Sequence, residues 1–102
     1  MNYSVKESDW KKFRAKLPGW QEDYMARLCK EYIEILSQDK SSADRFWELE
    51  KRIRQDKRDL GVICEMRRSK MLLNIQGLLA EEAITLDDLD DFSDELKEWV
   101  KF

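Results

Sequence analysis

Apolar residues recur at three- and four-residue intervals along most of the chain, which is the spacing of one face of an α-helix. Trp10, Phe13 and Leu17 start the pattern, with Ser8 as a candidate N-cap and Asp9 in the first turn. Leu17-Pro18-Gly19 is expected to end that first helix, because proline disfavours helical geometry in the residue before it. A second helix is predicted over about 20–36. Its apolar arc is broad: Tyr24, Leu28, Tyr32 and Ile35 are joined by Met25, Cys29, Ile33 and Leu36. Glu31 and Glu34 fall on the polar side. A third helix is predicted over about 43–58, capped by Ser41 or Ser42. It carries a narrow stripe of Phe46, Leu49 and Ile53, flanked by Trp47.

Leu60-Gly61 punctuates the chain, and a fourth helix is expected over 62–82. Its second half, from Met71 to Ala80, is apolar almost all round, so it is expected at the centre of the bundle. Gly77 within it costs about 1 kcal/mol relative to Ala, which suggests close approach by a neighbour. From Thr85 the stripe Leu86, Leu89, Phe92, Leu96 and Val100 argues for one continuous element, although Ser93 offers an alternative cap. The fold class that follows is all-α: one domain over 1–102, a compact bundle of four to five helices with short loops.

Composition narrows the chemistry. The 102 residues include no His, three Gly, one Pro and two Cys. Without imidazole there is no Ser–His or Cys–His couple, and two Cys 35 positions apart cannot form a four-thiolate zinc site. The longest uninterrupted apolar stretch, Met71-Leu72-Leu73, is far too short to span a membrane. The amino-terminal segment carries Lys6, Glu7 and Asp9 where a signal peptide would be apolar. A cytoplasmic protein with reduced thiols is expected. Net charge is −3, distributed unevenly: residues 1–30 carry +3 and residues 84–102 carry −5.

Four patterns invite a functional reading. The aspartates within 87–91 are interrupted by Leu89 at helical spacing and lack a turn glycine, so they read as a solvated face rather than a calcium loop. Glu31-x-x-Glu34 with Asp56-x-x-Asp59 is the material of a carboxylate magnesium site, as in a metal-dependent nucleotide hydrolase. Cys29 and Cys64 sit among apolar neighbours and read as small hydrophobes. Arg67 and Arg68, one turn beyond Cys64, would favour a thiolate if that thiol were exposed. Residues 45–70 hold nine basic and five acidic groups. Within them Lys51, Arg54, Arg58, Arg67 and Lys70 are the candidate residues for an acidic partner or a phosphate backbone.

Three stretches resemble a family of small all-helical proteins from bacterial genomes with no established activity. They are Trp20-Gln21-Glu22-Asp23-Tyr24-Met25, Phe46-Trp47-Glu48-Leu49-Glu50 and the segment from Ile84 to Leu96. The resemblance implies a bacterial, cytoplasmic protein and transfers no functional residue.

The functional expectation is therefore a non-enzymatic protein-interaction or regulatory module with no cofactor and no metal. Trp20, Trp47 and Trp99 are its candidate interface aromatics, since Trp is enriched at binding hot spots. Its partner would be another protein or a second copy. Alternatives are a nucleic-acid-associated regulator using the basic residues of 45–70 and, more remotely, the magnesium-dependent hydrolase.

Overall fold

A computed structural model of the chain describes residues 4–101. Among these, four α-helices and two 3-10 turns are present: α1 (Glu7–Leu36), α2 (Ser42–Asp56), a turn at Arg68–Lys70, α3 (Met71–Ala80), a turn at Leu86–Leu89 and α4 (Asp94–Val100). All-α architecture is thus what the structure has. Its shape is elongated, with extents of 54 × 24 × 21 Å and a radius of gyration of 16.6 Å. A compact chain of this length would have about 13 Å.

The elongation comes from α1, whose 30 residues run through Pro18 without a break. This corrects the expected stop at Leu17-Pro18-Gly19. Pro18 removes one amide donor, which costs about 3 kcal/mol in a helix interior. Against that, Phe13 and Leu17 are buried on one side of the proline, and Trp20, Tyr24 and Leu28 pack on the other. These residues share one helical face, so stopping the helix would withdraw half of that face from its partners. Pro18 and Gly19 themselves point to solvent.

The first half of α1 forms the base of the molecule with α3, α4 and the segment between them. Its core gathers Phe13, Met71, Ile75, Leu78, Leu89 and Leu96, each inaccessible to solvent. Trp20 fills one side, its ring 6.2 Å from Phe13 and 6.3 Å from Phe92. Asp9 is also inaccessible, and its carboxylate accepts the Ser93 amide (2.9 Å) and the Ser93 hydroxyl (2.5 Å). The Ser93 hydroxyl in turn accepts the Leu96 amide and caps α4. That long-range anchor breaks the 85–100 segment into a 3-10 turn and a short helix, where the stripe alone argued for one element.

The helix expected over 62–82 is confined to α3, Met71–Ala80. Residues 62–67 are an irregular strap, pinned from several directions. The Glu81 carboxylate accepts the amides of Leu60 (2.9 Å) and Gly61 (3.1 Å), and the buried Asn74 side chain donates to the Glu65 carbonyl (2.9 Å). A Cβ on Gly61 would overlap the Tyr24 ring, and one on Gly77 would overlap Leu60 Cδ1. Gly77 therefore makes room for a loop side chain rather than for a helix. The apolar circumference of α3 is also only partly covered, with Leu73 exposed.

The second half of α1 leaves the base and pairs with α2 as an antiparallel helical arm. Ser41 caps α2 by accepting the Asp44 amide (3.0 Å), as its sequence position suggested. No helix among the described residues is long and apolar enough to cross a membrane.

Candidate interaction surfaces

The seam that joins α2 to α1 is mostly polar. Tyr24 donates to Asp59 (2.5 Å) and Tyr32 to Asp56 (2.7 Å). Arg52 lies over the Tyr32 ring and pairs with both Glu31 and Asp56. Nearer the tip, Glu48 accepts from Gln38 and Lys40, and Arg45 donates to the Leu36 carbonyl (3.0 Å). Burial and then the adjacent carboxylate push both tyrosine hydroxyls well above their ordinary pKa. Hydrogen bonds from Gln38 and Lys40 hold the Glu48 carboxyl below its ordinary value. Glu31, Asp56 and Asp59, offered by the sequence as a magnesium cluster with Glu34, are thus the acceptors that hold the arm together. Among the described residues no group of three or more His, Cys, Asp or Glu side chains is placed to hold a metal ion.

These contacts fix how the two helices are rotated. Tyr24, Leu28, Glu31 and Ile35 mark the inner side of α1, and Arg45, Glu48, Arg52 and Asp56 the inner side of α2. At 3.6 residues per turn, Met25, Cys29 and Leu36 lie roughly a quarter to a third of a turn round α1, while Ile33, close to half a turn from the seam, faces outward. Phe46 and Ile53 lie roughly a quarter-turn round α2 in its own sense, with Leu49 nearer the seam. Because the helices are antiparallel, both rotations lead to the same side of the arm. The opposite side carries Asp23, Lys30 and Glu34 from α1 with Asp44, Lys51 and Gln55 from α2, and it is polar throughout.

The apolar side of the arm is uncovered. Phe46 is 61% accessible, Leu36 45% and Ile53 37%, and Ile33, on the outer side of α1, is 63% accessible. Cys29 is exposed among them. A groove runs along the α2 side of this face between Phe46, Leu49, Ile53 and Lys57. The burial pattern explains the exposure: α1 contributes Tyr24, Leu28 and Ile35 to the seam, while α2 has no buried residue. In the stripe Phe46–Leu49–Ile53, which reads as a core stripe in the sequence, Phe46 and Ile53 are turned away from α1. Their polar neighbours Arg45, Glu48 and Arg52 take the seam instead. The breadth of the apolar arc on 20–36 was the available signal, since one partner helix cannot cover so wide a face.

Of the three candidate aromatics, Trp47 alone stands out in solvent, at 62% accessibility, with its ring edge-on to Phe46 at 5.0 Å. Trp20 and Trp99 are half-buried against the base core. The candidate basic residues fall into two places. Lys51 and Arg54 project from the outer edge of α2 below Trp47, and Arg58 follows in the turn after the helix. Arg67 and Lys70 lie at the far end of the base, where the adjacent Arg68 pairs with Glu7. Tyr24, near Arg58, and Glu7 are separated by about 25 Å of helix. Two of the five are also paired, Arg54 with Glu50 (2.5 Å) and Arg67 with Glu65 (2.7 Å). Cys64 is half-buried, and burial followed by the charges of Glu81 and Glu65 raises its thiol pKa, the opposite of activation.

No protein-family model matches the sequence, and neither the curated proteins nor the solved structures return a significant match.

Proposed function

We propose that this chain is a non-enzymatic protein-interaction module that binds through the apolar face of its α1–α2 arm, as a small regulator or accessory factor does. One observation carries the reading: Leu36, Phe46 and Ile53 are exposed, and helical geometry turns them to one side of an arm whose other side is polar. Single exposed apolar residues are ordinary, but a contiguous set rimmed by charge marks a binding surface. The rim here includes the Glu50–Arg54 pair and Lys57, and Trp47 beside Phe46 supplies an aromatic anchor of the kind that dominates interface energetics. Commitment of Glu31, Asp56 and Asp59 to arm-internal bonds favours binding over carboxylate-metal chemistry.

Photo-crosslinking in cells tests this. A benzophenone amino acid at Phe46 is expected to give discrete protein adducts, while the same group at Lys30, on the polar side, gives none. Adducts of equal yield from both faces, or none from position 46, would overturn the reading.

A further inference from the structure

We propose that the occupant of the arm's apolar face is a second copy of this chain, the two arms closing into a four-helix bundle. The inference rests on the reading of that face as a binding surface and commits it to one partner.

The arm has the construction of half a bundle. An amphipathic helix needs a second layer against its apolar stripe, and a pair of helices with stripes on one common side needs another such pair. In this arm α2 hides no residue completely. Of its apolar side chains, Phe46 and Ile53 are turned to the side that α1 does not cover.

The area suffices. The paired part of the arm is about 15 residues long, or roughly 23 Å, and two helices side by side are about 20 Å wide. Each copy would cover close to about 500 Å², so the pair buries on the order of 1,000 Å², the lower bound for a specific interface. An interface at the low end of the specific range fits a reversible dimer rather than a permanent one.

The face is also self-complementary. The seam sets the register: Leu36 sits beside Arg45, Glu31 beside Arg52 and Tyr24 beside Asp59. Leu36 and Phe46 are therefore at one height near the tip, Ile33 and Leu49 at the next, and Cys29 and Ile53 below them. A two-fold axis along the arm lays the α1 stripe of each copy on the α2 stripe of the other at equal height. Leu36 and Cys29 of α1 then meet the second copy's Phe46 and Ile53, as an isologous interface requires.

Sedimentation of the full chain from about 1 µM to about 500 µM tests the proposal. The expected result is a reversible rise from monomer to dimer mass. Phe46→Glu and Ile53→Glu should each weaken the dimer at least about tenfold. Both residues are accessible in the monomer, so unchanged helical circular dichroism is expected for each variant. Lys30→Glu, on the polar side, should leave association unchanged. Alkylation of Cys29 should slow as concentration rises through the same range.

A chain that stays monomeric throughout, or a dimer that both glutamate variants leave intact, overturns the second copy as occupant. If that monomer still gives adducts from position 46 in cells, the interaction reading stands with a different partner. If it gives none, both fail.

Discussion

Replacing Asp9 with Ala is expected to loosen the joint between the first turn of α1 and the start of α4. Asp9 is fully inaccessible and accepts two hydrogen bonds from Ser93, 84 residues away. Its carboxylate sits in the first turn of α1 and against the start of α4, so it meets the amide-rich ends of two helices at once. A hydrogen bond to a charged group contributes about 1.5–3 kcal/mol. Ser93 is only half-buried, so water can partly satisfy its donors, and the lower end of the range applies to each bond. Asp9→Ala should thus cost about 3 kcal/mol, or about 12–24 °C in Tm for a domain of this size. Asp9→Asn keeps one acceptor for the Ser93 amide but sets an amide donor against the hydroxyl, and should cost about half as much. Thermal unfolding followed by circular dichroism, at one fixed protein concentration, measures the loss. Ser93→Ala completes a double-mutant cycle. Since the hydroxyl–carboxylate bond can be lost only once, the double variant should fall short of additivity by about 1.5 kcal/mol. A cost of Asp9→Ala below about 0.5 kcal/mol, or additivity within about that amount, would refute the anchor.

The remaining predictions concern α1 and the arm. Pro18→Ala restores an amide donor in the middle of an unbroken helix, so it should raise stability by up to about 3 kcal/mol, less the unfolded-state entropy that proline removes; a lower Tm would show that the proline is needed for the path of α1. Tyr24 and Tyr32 have hydroxyl pKa values raised by burial and by Asp59 and Asp56. The folded state therefore holds these protons more tightly than the unfolded chain does. Their stabilisation is fully present below the ordinary tyrosine pKa near 10 and is lost as pH rises above it. Amide exchange in α2 should quicken selectively above that pH, and Tyr24→Phe and Tyr32→Phe should remove the selectivity. Ordinary tyrosinate titration with an intact arm would contradict the seam.

Much of the local structure was legible in the sequence, and the errors share one cause. The Ser41 cap, the extent of α2 and the inward face of α1 follow from capping chemistry and from a 3.6-residue period. Both act over a single turn and need no distant partner. A local cost at Pro18 predicts a helix that stops there, and burial of Phe13, Leu17, Tyr24 and Leu28 on either side of it carries α1 through. The 62–67 segment looked helical because its composition permits a helix, whereas Glu81, Asn74 and Tyr24 pin it as a strap. At the surface, Trp47 is exposed, while Trp20 and Trp99 are half-buried against the base core.

By itself the sequence determined that the protein is helical, that it lacks the residues for imidazole or four-thiolate chemistry, and which side of each helix is apolar. Only the tertiary structure decided which of those sides are covered. Periodicity specifies a face but not the neighbour that reaches it, and here charged and tyrosine side chains, rather than the apolar stripe, set the rotation of α2 on α1. The same pattern of Phe46, Leu49 and Ile53 would have been core had α2 turned by a quarter. Held as it is by Arg52, Tyr24 and Tyr32, that stripe remains open beside Leu36.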